Sequence, residues 1–250
     1  MLIVLITGAT AGIGEATAHA FAKHGYDVII TGRREDRLKK VTKDLEKYGH
    51  RVLSLSFDVQ HRAEVESVIK NLPSDWQAID VLVNNAGLGL GLGPIQGGDP
   101  EDWDTMIDTN VKGLLYMTHA VLPLMHAQKR GHIINLGSIA GKEIYANGNV
   151  YIATKHAVDA LTKAMRVDLL PEHIRVTGIH PGRVETEFSL VRLKGDAKEA
   201  KKVYEGYEPL LPEDIADVIL FAATRPAHVT INELTIMPTT QANANILLKE

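Results

Sequence analysis

The sequence contains no cysteine. Disulfides, thiolate nucleophiles and cysteine-ligated zinc or iron–sulfur centres are therefore excluded, and a reducing cytoplasm is the expected compartment. Long hydrophobic runs are missing as well. Residues 1–6 are apolar but end at Thr7-Gly8, short of a signal-peptide core, and nothing later reaches the ~18 uninterrupted apolar residues of a membrane span. No membrane partner is expected. Basic charge is not in excess: the formal net charge is −4, whereas duplex binders carry a basic footprint, so no nucleic-acid partner is expected either. The 11 histidines show no HExxH or comparable ligand spacing, and no metal site is expected. Linkers, low-complexity tracts and repeats are absent, which leaves residues 1–250 as one domain. Hydrophobic residues make up 45% of the chain, enough for a sizeable core.

Along the chain, apolar β-branched runs alternate with helical patterns. Leu2-Ile3-Val4-Leu5-Ile6 is continuously apolar, as a strand covered on both faces should be. Helical spacing follows over 15–24 and ends at Gly25; a strand is expected over 27–31, a charged helix over 35–48 and a strand over 51–57. Residues 62–71 read as helix, 81–83 as a short strand, and the Gly-rich 88–100 as a loop near the site. A long helix is expected over 100–125, broken or bent near Pro123, and then a strand over 132–136. A second long helix over 151–170, a strand over 175–179, a helix over 214–223 and a strand over 234–236 complete the series. This order demands a doubly wound, Rossmann-type α/β domain: a parallel sheet of about seven strands, right-handed crossovers and helices on both faces. Ligands of such sheets bind beyond the carboxyl ends of the strands. The Gly-rich turn, Asn84-Asn85, Ser138 and Pro181-Gly182 all follow strands, so all would gather on that edge.

Thr7-Gly8-Ala9-Thr10-Ala11-Gly12-Ile13-Gly14 lies between an apolar strand and a helix. Glycines there permit a tight turn, close approach of backbone to phosphate, and amides aimed from a helix N-terminus. Sites that take NAD usually place a carboxylate after the second strand, for the ribose 2′-OH. Here that stretch reads Thr31-Gly32-Arg33-Arg34, with no carboxylate before Glu35. Two guanidiniums suit a 2′-phosphate, so NADP is the expected cofactor.

Tyr151 and Lys155 stand four residues apart, on one face of a helix. A free tyrosine, with a pKa near 10, is a poor base at neutral pH. A cation about 4 Å away, at an effective dielectric of about 20, would favour the phenolate by roughly 4 kcal/mol, or about three pKa units. That would bring Tyr151 towards neutrality, where proton-transfer catalysts work best.

Thr7-Gly8 with Gly12-Ile13-Gly14, Asn84-Asn85-Ala86-Gly87, Asn110, Ser138, Tyr151 with Lys155, and Pro181-Gly182 with Val184 and Thr186 occur in order over nearly the whole chain. Together they resemble the short-chain dehydrogenase/reductase family. The resemblance implies catalytic roles for four residues: Tyr151 as acid/base, Ser138 on the carbonyl oxygen, Lys155 lowering the tyrosine pKa and holding the nicotinamide ribose, and Asn110 positioning a water that relays protons. It further implies that Asp58 and Val59 contact adenine, Asn85 (with Ala86 and Gly87) the adenosine ribose region, and Val184 and Thr186 the carboxamide.

Thr31 to Leu38, Met106 to Asn110, Gly148 to Tyr151 and Thr186 to Asp196 more narrowly resemble the NADP-dependent 3-hydroxy acid dehydrogenases. That resemblance implies a hydride transferred between NADP(H) and a small 3-hydroxy acid such as serine, L-allo-threonine or 3-hydroxypropionate. A different carbonyl substrate (a sugar, steroid or acyl thioester) and a non-catalytic nucleotide-binding module are the alternatives. Arg183 and Glu185 need not match that branch. The carboxylate of a hydroxy acid calls for a cation; Arg183, beside Pro181-Gly182, is the first choice, ahead of Arg192 and Lys194. A homotetramer is expected from the resemblance and from apolar positions on the two long helices, Leu114, Leu115, Met117, Val121 and Leu124, then Val158, Leu161, Met165 and Leu169.

Overall fold

The computed structural model describes residues 1–249. Its strands are β1 (Ile3–Ile6), β2 (Asp27–Gly32), β3 (Val52–Ser56), β4 (Ile79–Asn84), β5 (Gly131–Leu136), β6 (Ile174–Pro181) and β7 (Glu233–Ile236). They form one sheet in the order β3-β2-β1-β4-β5-β6-β7, with every neighbouring pair parallel. β1 and β4 are adjacent because the chain doubles back there. Their carboxyl ends therefore flank a crevice, the position such sheets use for ligands.

The helices are α1 (Gly12–Lys23), α2 (Glu35–Leu45), α3 (Arg62–Lys70), α4 (Pro100–Ile107), α5 (Leu114–Gln128), α6 (Asn149–Asp168), α7 (Phe188–Arg192), α8 (Ala197–Lys202) and α9 (Pro212–Ala223). Central strands are buried on both faces, which is why they read as unbroken apolar runs. One core joins Val4 and Ile6 to Phe21, Leu38 and Ile219 under α1, α2 and α9. The other joins Leu5 and Leu82 to Val65, Met117, Val121 and Trp76 under α3 and α5.

Two expectations need correction. The long helix expected over 100–125 is not broken at Pro123, which lies inside α5 on an exposed face, where the carbonyl freed by the missing N–H can reach water. It is interrupted at Asp108–Gly113, a π-helical turn holding Asn110. Such wide turns inside α-helices are frequent at functional sites. The apolar surplus on the long helices is also smaller than the pattern suggested. Leu114, Met117, Val121, Val158 and Leu169 are all buried in the chain's own core, leaving Leu115 exposed on that list.

Candidate active site

The turn after β1 closes by backbone geometry that side chains would obstruct. Gly8 and Gly12 have φ of +67° and +55°, and a Cβ on Gly14 would sit 2.4 Å from the Gly8 carbonyl oxygen. Asn85, at the end of β4, braces the turn: its Nδ2 donates to the carbonyls of Thr7 (2.8 Å) and Gly8 (3.2 Å). Thr7 Oγ1 in return accepts from the backbone of Asn85 and Ala86. α1 starts at Gly12 without a side-chain cap on its first amides. A helix N-terminus left open in this way offers N–H groups to an anion.

Arg33 and Arg34 lie at the end of β2, beside this turn. Arg34 donates through Nε and Nη2 to Thr10 Oγ1 (3.2 and 2.8 Å), and through Nη1 to Glu187 (3.0 Å). Arg33 is more exposed and lies 3.3 Å from Asp58 Oδ2. The sequence reading missed two members of this cluster, Arg37 and Glu187. Arg37 bonds Glu187 at 2.6 Å; it stands three residues after Arg34 on the same helical face, a spacing that could have found it. Val59 is buried, packed where a Cβ on Gly113 would touch it at 2.8 Å.

The reacting end is built on β5, α6 and the π turn. Asn110 is buried and its amide is fully used. Oδ1 accepts from the Leu88 backbone (2.8 Å), and Nδ2 donates to the Leu88 carbonyl (2.8 Å) and to Thr154 Oγ1 (3.0 Å). Thr154 passes the connection on to the Tyr151 carbonyl at 2.7 Å. Ser138 caps the short turn after β5, its Oγ accepting from the Ala140 amide. Lys155 Nζ donates to the Leu136 carbonyl at 2.8 Å. A Cβ on Gly87 would crowd Asn110 Oδ1 at 3.1 Å and stand in ordinary contact, 3.6 Å, with that ammonium.

Burial governs both titrating groups. It pushes the Tyr151 phenol up to about 12, with Tyr145 adding to the rise and Ser138 and Arg192 pulling the other way. It brings the Lys155 ammonium down to about 8. The expected lowering of Tyr151 by Lys155 is therefore corrected for the protein without cofactor. Four-residue spacing puts both side chains on one face, but the ammonium turns to Leu136 and desolvation dominates the phenol.

A lysine with a folded-state pKa of about 8, against ~10.4 unfolded, costs the folded state on the order of 3 kcal/mol while both states are protonated. The cost fades as pH rises from about 8 to about 10.4, because the unfolded chain then holds more protons than the folded one. Losing the bond to Leu136 offsets about 1 kcal/mol. Lys155→Met is thus expected to raise the melting temperature of the cofactor-free protein at neutral pH by roughly 4–8 °C, with the gain shrinking near pH 10. A melting point lowered at neutral pH would contradict this account of the lysine.

Above the phenol lies a third apolar cluster of Met106, Ala140, Tyr151 and Ile152, joined by Leu88, Leu90 and Phe188. The Phe188 ring is 5.3 Å from that of Tyr151. Arg192, on the same short helix, holds its guanidinium 5.1 Å over the Tyr151 ring. Its Nε donates to the Gly91 carbonyl and its Nη1 to the Tyr145 hydroxyl, whereas its Nη2 is buried without a partner.

Arg183, the first choice for a substrate carboxylate, is corrected by its surroundings. Its backbone N–H donates to Gln241 and its Nη1 reaches the Val203 carbonyl, beside Tyr204 and Tyr207. Lys194 is paired with Asp102 at 2.8 Å. Pro181 and Gly182 end β6, and Gly182 donates to the Ile236 carbonyl. Val184 bridges to Leu210. Thr186 reaches the glycine turn, its Cγ2 3.2 Å from where a Gly12 Cβ would be.

A further group, built around the buried His180, has no signal in the histidine spacing. Asp159, His180 and Glu233 bring ligand atoms within 4.8 Å of one another. Lys142 already supplies the cation there, 2.7 Å from Asp159 and 2.6 Å from Glu233. Burial, with Lys142 second, holds His180 down to about 4 and hence neutral.

A family model described as short chain dehydrogenase matches residues 2–195. An NADP-dependent 3-hydroxy acid dehydrogenase, YdfG, of Salmonella typhimurium is 52% identical over 246 residues, covering 98% of each chain. Sulfoacetaldehyde reductase 2 of Chromohalobacter salexigens is 47% identical, over 96% of this chain and 95% of that one. Among solved structures, the closed form of serine dehydrogenase complexed with NADP+ superposes with a TM-score of 0.94 at 48% identity, over 100% of both chains.

Proposed function

The chain belongs to the short-chain dehydrogenase family, and on that premise we propose that it transfers a hydride between NADP(H) and the hydroxyl-bearing carbon of a small 3-hydroxy acid. Its class, an NADP-dependent oxidoreductase, follows from relatives so named that align over nearly its whole length. The residues present fit the cofactor. The glycine turn would be filled by a Cβ at Gly14, the first amides of α1 are open, and Arg34, bonded to Thr10 of that turn, would with Arg33 supply cations to a 2′-phosphate. Bound NADP supplies the hydride acceptor, and its reduced form the donor. Ala9, Ala11, Ile13, Ala86, Asp58, Val59, Pro181, Val184 and Thr186 complete the proposed cofactor site.

For the chain's own residues we assign the following roles. Tyr151 gives or takes the hydroxyl proton at its phenolic oxygen. Ser138 donates to the carbonyl oxygen, an oxyanion-type contact. Lys155 holds the nicotinamide ribose, and Asn110 fixes the 88 loop and the Tyr151 turn through the bonds described above. One observation carries the substrate class: the buried Nη2 of Arg192, unpartnered and over the tyrosine ring. A buried donor without an acceptor is costly, and a carboxylate would satisfy it. A second reading shares this chemistry. The sulfoacetaldehyde reductase relative favours a small sulfonate aldehyde, whose anion the same guanidinium would hold.

The test is turnover with NADP and NAD on a panel of serine, both threonine diastereomers, 3-hydroxypropionate and, in reverse, sulfoacetaldehyde. Activity confined to uncharged carbonyl compounds would overturn the anionic-substrate reading. In the same assay, replacing Arg33 and Arg34 with Ala is expected to weaken NADP about ten- to hundredfold, at about 1.5–3 kcal/mol per charge-assisted bond set, and to leave NAD nearly unchanged. An unaltered NADP-to-NAD ratio would reduce the pair to solvated surface.

We further propose a cytoplasmic homotetramer. Among the described residues no helix is long and apolar enough to cross a membrane. Val167, Leu170 and Phe221 are 72%, 73% and 46% exposed, and such side chains suit a subunit contact. A monomer in light scattering at micromolar concentration would refute the assembly.

A further inference from the structure

We infer that Glu187 is a latch that fastens the substrate-covering segment to α2, and that with Arg37 it positions Phe188 and Arg192 over Tyr151. The inference rests on the oxidoreductase reading for its activity arm alone. Glu187 is the residue immediately before α7, the short helix that carries both side chains above the phenol. From there its carboxylate reaches α2 and the residue that precedes it. One oxygen accepts from Arg37 at 2.6 Å and the other from Arg34 at 3.0 Å, more than 140 residues earlier in the chain. Burial would raise its pKa, yet the two guanidiniums outweigh burial and hold it ionised.

The other anchors of this segment lie elsewhere. Arg192 holds the Gly91 carbonyl, Lys194 pairs with Asp102, and Tyr204 bonds Ser189 and the Val184 carbonyl. The first two fix the far end of the segment, and Tyr204 ties its interior to Val184. Glu187 ties its near end to α2, at the point where it leaves the proposed cofactor site. Thr186, one residue before, lies beside the glycine turn, its Cγ2 3.2 Å from where a Gly12 Cβ would be, so the latch sits where the proposed cofactor and substrate halves meet.

Arg34 and Arg37 divide the work. Arg34 is shared among Thr10 of the glycine turn, Glu187 and the proposed phosphate site. Arg37 has Glu187 as its bonded partner, and nothing in the proposed cofactor site requires it. The Arg37–Glu187 pair is therefore specific to the segment, and altering it separates latching from phosphate recognition.

The experiment compares Glu187→Gln, Arg37→Glu and the charge-exchanged double variant Arg37→Glu/Glu187→Arg with wild type. Amide hydrogen exchange over residues 188–205 is followed with and without NADP, beside KM, kcat and NADP affinity. Glu187→Gln weakens two partly exposed ion pairs, and Arg37→Glu removes one and sets a like charge against Glu187; either supports an acceleration of exchange of about three- to tenfold. KM for the acid substrate is expected to rise by a similar factor, with kcat nearly unchanged and NADP binding not weakened by Glu187→Gln. The exchanged pair should recover at least part of both effects, as a merely structural contact of shape would not. Unchanged exchange in Glu187→Gln, or a change confined to NADP affinity, would overturn the latch. If the wild type turns over no hydroxy acid, the substrate reading fails, while exchange and its rescue still decide the latch.

Discussion

Tyr151→Phe is expected to bind NADP as the wild type does and to lose about 10²–10⁴ of kcat, the range that positioned acid–base groups supply. The substitution keeps the ring that packs against Phe188 at 5.3 Å, so the fold should be untouched and the loss should lie in the chemistry. Because burial holds the phenol near 12, Tyr151 is protonated at neutral pH, so the proton that reduction needs is in place while oxidation needs the scarce phenolate. Reduction by the wild type should accordingly be flat from neutral to mildly alkaline pH, while oxidation should climb with pH. A variant with near wild-type kcat would remove Tyr151 from the mechanism; equal pH profiles in both directions would show that its proton state is set by something other than burial.

Arg192→Leu should cut kcat/KM for acid substrates by about 2–5 kcal/mol, the scale for truncating one partner of a buried, hydrogen-bonded charge pair, which is at least ~30-fold. Arg192→Lys should fall between, because lysine keeps the charge but not the planar fork. An uncharged carbonyl substrate should lose far less. Arg183→Leu, at a guanidinium turned towards Val203, should discriminate little between the two substrate kinds. Equal losses on acid and neutral substrates in Arg192→Leu would mean that the residue shapes the pocket through Tyr145 and Gly91 without reading the anion.

The contrast between the two arginines marks where the sequence stops being informative. Strands announce themselves through local composition: Leu2 to Ile6 can only be a covered strand, and β1 runs from Ile3 to Ile6. The glycine turn is equally local, because φ values of +67° and +55° call for glycine at fixed spacing. Arg183 was preferred for being near Pro181-Gly182 in sequence, yet a guanidinium on a long stem is aimed by whatever packs around it. For Arg192 those neighbours are Gly91 and Tyr145, which no local pattern connects to it. Glu187 with Arg37, and Lys142 between Asp159 and Glu233, were hidden for the same reason. The tyrosine pKa failed differently: charge pairing was counted and desolvation was not. At Pro123 the exposed helix face lets water take the freed carbonyl, and the helix runs on.

The π turn at Asp108–Gly113 also bears on how this gene can change. A single π turn carries one residue more than the α-helix it interrupts. Loss of one codon inside it would let α4 and α5 close into a regular helix, leaving Met106 and Met117 on the faces they now bury. Asn110 would be swung away from Leu88 and Thr154, whose bonds to it depend on the wide turn. The fold is expected to tolerate that deletion and the chemistry is not. Among similar chains, a gap of one residue at this point would thus mark copies that have kept the scaffold and abandoned the reaction; a gapped copy that still oxidises a hydroxy acid would disprove it.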